Sequence, residues 1–549
     1  MCEINCHNFI EKLDTIKHSI EDAKFIAIDC EFTGLLENPL YKNSLFDSAD
    51  ERYEKLKEAT QGFIIIQFGV TTFKYDVQLN TYQTSVYNFQ LCPKWFSSDD
   101  KILFQPSCLL FLCAQKFDFN EFIYNGISYL NQSDQSIVKR DLDNDTWFNQ
   151  LEQPFLNEDK AQIQDVCSQI TRWIQKCGEG DSLVISVEWV DDKYIMNYVL
   201  LYEVTDRFLS KGVCSYFKPN EIHLEKFNPN DSTLKQSRET IQSQLLETAK
   251  SQAWQSMLGF SQVFNLLVEA KKPLIGHNLF TDLLFMYKQF YQPLPANLKR
   301  FKSEMRRLFP SVYDTKYISY EINSMLSDKS QRWTSNGLIS LYEWLRDHKH
   351  ITHLLLYMPQ LKLMDDLSVS NAKLHTGGWD SFYAGFCFVH LIYMLASLKH
   401  ALPTIVKPFT LTNQLACVRR LENKINLIRA EVNHLNLAGP EPESRRPDMI
   451  LVQTRSGRRI RVDQVAEMFA EFGSVDVRYR SQNSALVAVG NHICARISLE
   501  KLRNHPVYKV STFHSRKEFI VNAVIKLGLL SSLLGGITLT YLIIVKPKL

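Results

Sequence analysis

Along most of the chain, apolar residues fall into runs whose spacing separates strands from helices. The run KFIAIDCEF (24–32) is almost continuous and rich in β-branched residues, which predicts a buried strand followed by a turn at Thr33-Gly34. GFIIIQFGVTT (62–72) and YQTSVYNFQLCP (82–93) predict two more strands, and CLLFLCAQKFDFNEFIYNG predicts helical patches, giving the first part of one α/β domain at 1–150. Within it, CLLFLC (108–113) reads as a buried segment. Residues 151–250 are more polar. The helical QIQDVCSQITRWIQKC and two strand-like runs, SLVISVEWV and YIMNYVLLYEV, predict an inserted small α+β module there.

The α/β pattern resumes over 251–402. AWQSMLGFSQVFNLLVEA has helical period, KPLIGHN reads as strand then loop, and FTDLLFMYKQFY, SNGLISLYEWLRDH and DSFYAGFCFVHLIYMLASL read as helices. A helical connector at 403–448 ends in the Pro-rich linker GPEPESRRPD. Residues 449–505 then give a β-α-β-β-α order, that of an RRM-like α+β sandwich. A basic stretch, 506–526, leads to LGLLSSLLGGITLTYLIIV (527–545), which is free of charge and, at about 1.5 Å per residue, close to bilayer thickness. With Lys526 before it and Lys546 and Lys548 after it, this stretch predicts a transmembrane tail anchor.

Composition narrows the class of protein. A chain of 549 residues with 45% hydrophobic and 22% charged residues fits several folded domains. Its 62 Lys+Arg against 60 Asp+Glu excludes a strongly basic, non-specific nucleic-acid coat. The twelve cysteines include no CxxC pair, which suits a reduced chain, and the acid-bearing first twenty residues do not read as a signal or transit peptide.

Chemistry enters with Asp29 and Glu31. Side chains at i and i+2 of a strand share a face, so two carboxylates project together at the end of an apolar strand. Asp282 lies one helical turn beyond Asn278 and can face the strand end that KPLIGHN has just left. Asp380 follows Gly377-Gly378 at the start of an apolar helix, where taken alone it reads as an N-cap, and the Gly-Gly loop lets His375 fold back over the same place. Four acids from separated segments are the ligand set that Mg²⁺ requires, and two such ions can clamp the attacking and departing oxygens of a phosphodiester. An imidazole can then take the proton of the attacking water.

With these residues the chain resembles the DEDD 3′-to-5′ exonucleases of ribonuclease-H-like fold, in the subgroup with a catalytic histidine. FDFNEFIYNGISYLNQ (117–132), HNLFTDLLFMYKQFYQPLPANL, FPSVYDTKYIS and LNLAGPEPE are similar to stretches of the poly(A)-specific ribonuclease family. That resemblance implies a 3′-to-5′ exoribonuclease with two Mg²⁺ ions held by Asp29, Glu31, Asp282 and Asp380, with His375 as base and 5′-mononucleotides as products. Phe32, His277 and Asn278 become candidate RNA contacts. Two departures matter. The inserted module lacks the family's Arg-x-x-x-His spacing, and SALVAVG lacks the exposed aromatics of an RNA-stacking strand, which suits packing or dimerisation. Arg346 and His350 have that spacing but fall on a helix with a solvated face.

The tail span points to the Trimmer branch of the family, membrane-bound enzymes that shorten PIWI-interacting RNA precursors. Membership would imply single-stranded RNA held by a PIWI protein, a Tudor-domain adaptor, the cytosolic face of the mitochondrial outer membrane (or else the endoplasmic reticulum) and possible homodimers. The alternatives are an mRNA deadenylase and a catalytically inactive membrane-tethered RNA-binding scaffold.

Overall fold

In a computed structural model of the full chain, the residues described are 1–35, 41–93, 101–144, 157–189, 192–347, 351–364, 375–400 and 409–513. The tail span at 527–545 therefore lies outside the described residues, as does His350. Two compact units emerge. The first comprises residues 1–41, 53–426 and 434–440, and the second comprises 42–52, 427–433 and 441 onward.

The first unit is built on β1 (Cys2–Ile4), β2 (Phe25–Phe32), β3 (Ile65–Asp76) and β4 (Thr81–Gln90). A three-stranded insert follows, with β5 (Ser182–Ser186), β6 (Val213–Lys218) and β7 (Glu221–Lys226), before β8 (Leu274–Gly276), β9 (Val312–Asp314) and β10 (Gln360–Leu363) rejoin the main sheet. The main sheet has the order β1-β4-β3-β2-β8-β9, with β10 also on β4. β2, β3 and β4 are antiparallel neighbours, whereas β8 and β9 run parallel to β2. This is the expected α/β architecture with a mixed sheet.

The helix Gly377–Lys399 lies against this sheet and is apolar nearly all round, as a helix buried on every side must be. Phe388 meets Phe25 edge-on at 5.2 Å, and Phe25 stacks on Phe73 at 4.5 Å. By length and composition this helix could cross a membrane, but it is 89% buried inside the unit and is a core helix.

The insert pairs in the order β5-β7-β6. The run 194–204, which the sequence suggests is a strand, is instead part of the helix Lys193–Phe208. Asp192 caps it by accepting from the amides of Tyr194 and Ile195, and Tyr198, Leu200 and Val204 pack in the insert's core, so tertiary burial overrides a β-prone composition. The expected single helix over 253–270 is broken at Gly259 (φ +43°), where a Cβ would stand 2.0 Å from the carbonyl oxygen of Ser128. The helix before that break, Ser232–Leu258, runs past residue 250. CLLFLC is not buried. It lies on the helix Pro106–Ala114, whose inward side chain is Leu112, while Leu110 and Phe111 are 72% and 41% exposed. The connector is not all helix either: after Leu411–Val418, β11 (Lys424–Asn426) and β12 (His434–Asn436) form an antiparallel pair.

The second unit contains β13 (Ile450–Thr454), the helix Val462–Ala470, β14 (Val475–Ser481), β15 (Ser484–Val489), the helix His492–Leu502 and β16 (Tyr508–Thr512). The sheet order is β14-β15-β13-β16, all antiparallel. β16 lies in the stretch expected to be a juxtamembrane segment; its alternating backbone bonds to β13 make it the fourth strand. Leu45 and Phe46 cover one face of this sheet, packing with Leu486, Ala488 and Leu451, and Arg478 stands over the Phe46 ring at 4.5 Å.

Candidate active site

Asp29 and Glu31 sit near the end of β2, one pleat apart on the same face. The helix Phe280–Met286 presents Asp282, and the first turn of Gly377–Lys399 presents Asp380. Oxygens of Asp29, Glu31 and Asp380 all lie within 4.8 Å of one another. Asp282 joins them electrostatically, since its charge raises the pKa of both Asp29 and Glu31. Thus all four sequence-predicted acids converge.

The close approach of the helix Gly377–Lys399 to the sheet is built from residues that carry no local signal in the sequence. Gly69, on β3, pairs with Asp29, and a Cβ there would lie 1.8 Å from the carbonyl oxygen of Gly377. The free helix amides find side chains of the sheet: Gly377 donates to Gln67 Oε1 at 2.8 Å and Gly378 to Asn88 Oδ1 at 3.1 Å. Ser381 and Thr71 share a hydroxyl bond of 2.7 Å. Asp380 is not an N-cap. The cap position is Thr376, whose carbonyl accepts from the Asp380 amide at 2.9 Å, and the Asp380 carboxylate faces the other acids.

Asp314, at the end of β9, is fully buried beside this cluster, and its oxygens are spent on the chain itself. It accepts from the amides of Asn278, Leu279, Lys316 and Asn426 at 2.9–3.1 Å, fixing the loop that leads to Asp282. His277 bonds Thr315 Oγ1 and the Asn336 carbonyl, both at 3.0 Å, and burial pushes its pKa down to about 3. Asn278 accepts from Asn426 Nδ2 at 2.8 Å. Both residues serve the support of that loop.

His375 lies where the sequence places it. In a left-handed backbone conformation (φ +56°), it brings Nδ1 to 3.8 Å from Asp380 Oδ2, and its side chain is 39% exposed. Phe111 meets this imidazole edge-on at 5.1 Å. Sequence reasoning missed Phe111 because its helix read as core. Phe32 is half-buried against Phe285, with ring centroids 4.5 Å apart.

The electrostatics fit a divalent cation. Burial, reinforced by the other acids, raises the Asp29 pKa well above its ordinary value and raises Glu31 to about 8, while burial pushes Asp282 and Asp380 to about 7. Asp380 Oδ1 is buried with no hydrogen-bond partner, the condition of a ligand atom awaiting a cation. The folded protein without metal therefore holds protons that the unfolded chain has released. Stability without metal should fall as pH rises from the ordinary carboxyl value of 4.5 toward about 8, the span set by Glu31. Melting of chelator-treated protein at pH 6 and pH 8 should show a lower Tm at pH 8, restored by Mg²⁺ and weakened as an effect in Glu31→Gln. Equal Tm at both pH values in wild type would contradict this account.

Residues 4–388, which include the four acids and His375, match the CAF1 family ribonuclease description. The chain belongs to the CAF1 family of ribonucleases, and its activity is that of a 3′-to-5′ exoribonuclease, a phosphodiester hydrolase. It is 30% identical to the pre-piRNA 3′-exonuclease trimmer of Bombyx mori, over 94% of each chain. It is 28% identical to poly(A)-specific ribonuclease PNLDC1 of Mus musculus, over 93% of this chain and 94% of that one. To poly(A)-specific ribonuclease PARN of Homo sapiens it is 27% identical, over 93% of this chain and 80% of the relative.

Proposed function

We propose that the protein is a membrane-anchored, Mg²⁺-dependent 3′-to-5′ exoribonuclease that trims the 3′ ends of PIWI-interacting RNA precursors. The observation that carries this reading is the 30% identity to the Bombyx mori trimmer, spread over 94% of both chains rather than confined to the nuclease core. The uncharged stretch 527–545 supports a membrane anchor, which this reading places in the mitochondrial outer membrane, the endoplasmic reticulum being the alternative, with the nuclease in the cytosol.

Asp29, Glu31, Asp282 and Asp380 would hold two Mg²⁺ ions, which when bound would supply positive charge for the attacking and departing oxygens. His375, at the exposed edge of the acid cluster, takes the proton of the attacking water, and Asp380 at 3.8 Å keeps the imidazole turned toward the site. Phe111, edge-on to His375, offers an exposed ring to the last base, and half-buried Phe32, next to Glu31, is a second candidate for stacking. Stacking tolerates any base, so the handover of the precursor by a PIWI protein and a Tudor-domain adaptor sets specificity.

A second reading, deadenylation of mRNA, is favoured by the similarity to the mouse and human poly(A)-specific ribonucleases. Digestion of single-stranded RNAs of equal length with all-adenine and mixed-sequence 3′ ends separates the two. Equal rates support the trimming enzyme, and a rate at least about tenfold faster on adenine, which corresponds to about 1.4 kcal/mol of transition-state discrimination, supports the deadenylase.

A further inference from the structure

The helix Leu298–Leu308 (LKRFKSEMRRL) divides sharply. Leu298, Phe301, Met305 and Leu308 are buried, and Phe301 touches the rings of Phe280 and Tyr287 on the very segment that carries Asp282. Its opposite face holds five cations and one acid. Two of the cations have internal tasks: Lys302 donates to the Gly439 carbonyl at 2.6 Å, and Arg307 pairs with Glu304 at 2.9 Å. Lys299, Arg300 and Arg306 are exposed and form no ion pair among the described residues.

The placement of Lys299 and Arg300 opposes the helix's own electrostatics, whereas Arg306 stands in the last turn, where a cation is favoured. Lys299 and Arg300 stand in the first turn, where the macrodipole favours acids, and no acid is present there. Lys299 with Lys302 and Lys302 with Arg306 are like-charge neighbours at i,i+3 and i,i+4, pairs that weaken a helix. In a chain whose charges otherwise nearly balance, 62 against 60, a face arranged this way is suited to negative charge brought from outside.

We infer that Lys299, Arg300 and Arg306 bind the phosphodiester backbone of the single-stranded RNA upstream of the 3′ end being hydrolysed. This rests on the exoribonuclease reading. RNA is favoured over other polyanions because the helix packs directly on the segment bearing Asp282, so a strand leaving the catalytic recess can pass over this face. Such contacts hold RNA without reading its sequence and make affinity depend on salt.

The test uses full-length protein in detergent carrying Lys299→Glu, Arg300→Glu and Arg306→Glu together, with Lys299→Gln, Arg300→Gln and Arg306→Gln as a milder set. On a 30-nucleotide RNA, KM should rise about tenfold or more with kcat held, while kinetics on a trinucleotide, which fills only the catalytic recess, should not move. Binding of the 30-mer to an Asp29→Asn background should lose about 2 from its log–log salt slope, at about 0.7 per lost phosphate contact. An unchanged KM on the 30-mer, or the same rise on both substrates, overturns the proposal. Unchanged RNA binding with lost adhesion to phosphatidylserine vesicles also overturns it, in favour of a membrane contact. If wild type hydrolyses neither substrate, the exoribonuclease reading is what fails, and the salt slope alone then decides whether this face binds RNA.

Discussion

Asp29→Asn should leave the fold intact and lower RNA hydrolysis by roughly 10³-fold or more, at saturating Mg²⁺ and saturating RNA. The substitution conserves volume at a recessed position and removes one of three carboxylates whose oxygens lie within 4.8 Å of one another. A divalent ion contributes several kcal/mol to stabilising charge in a phosphodiester transition state, and each 1.4 kcal/mol is about tenfold in rate. Because Asp29 is held well above its ordinary pKa by burial and by Asp380, Asp282 and Glu31, the same change should raise the Tm of the metal-free protein at pH 8. Loss of activity together with gained apo stability separates a ligand from a structural acid. Loss of both would place Asp29 in the scaffold instead.

Gly69→Ala should be nearly as damaging, though Gly69 touches no substrate. Its Cβ would lie 1.8 Å from the Gly377 carbonyl oxygen and 2.5 Å from the Gly378 amide nitrogen, both backbone atoms that cannot rotate aside. Either β3 or the start of the catalytic helix must move, and overpacking of this kind costs about 1–3 kcal/mol. The helix carries Asp380, so its displacement spreads the acid cluster. Expected results are a fall in rate of about 10²-fold, as for ångström-scale misplacement of a catalytic group, a higher Mg²⁺ requirement and a lower Tm. Gly69→Ala with wild-type kinetics would show that the helix need not sit this close.

These two cases mark what the sequence discloses. The acids and His375 are legible because each stands at a recognisable boundary: the end of an apolar strand, the first turn of a helix, or the Gly-Gly start of another. Gly69, Gln67, Asn88 and Asp314 are not, since each acts through a contact made by distant chain segments, as in the Gly377 amide bond to Gln67. The insert shows the same limit from the other side. The run 194–204 is rich in residues that favour strands, and only the Asp192 cap and burial within the insert make it helical. Leu110 and Phe111 were assigned to the core for their hydrophobicity, and the structure leaves both exposed. In an RNA enzyme an exposed ring beside His375 has a use that a propensity scale does not register.

The central claim is tested most directly by digesting 5′-labelled RNA with membrane fractions containing wild type or Asp29→Ala, in the presence of Mg²⁺, with a PIWI-bound precursor of mixed sequence and free poly(A) as substrates. The trimming reading predicts stepwise shortening of the bound precursor by wild type, none by Asp29→Ala, and no preference for free poly(A). Strong preference for poly(A), or equal inactivity of both proteins on every substrate, would contradict it.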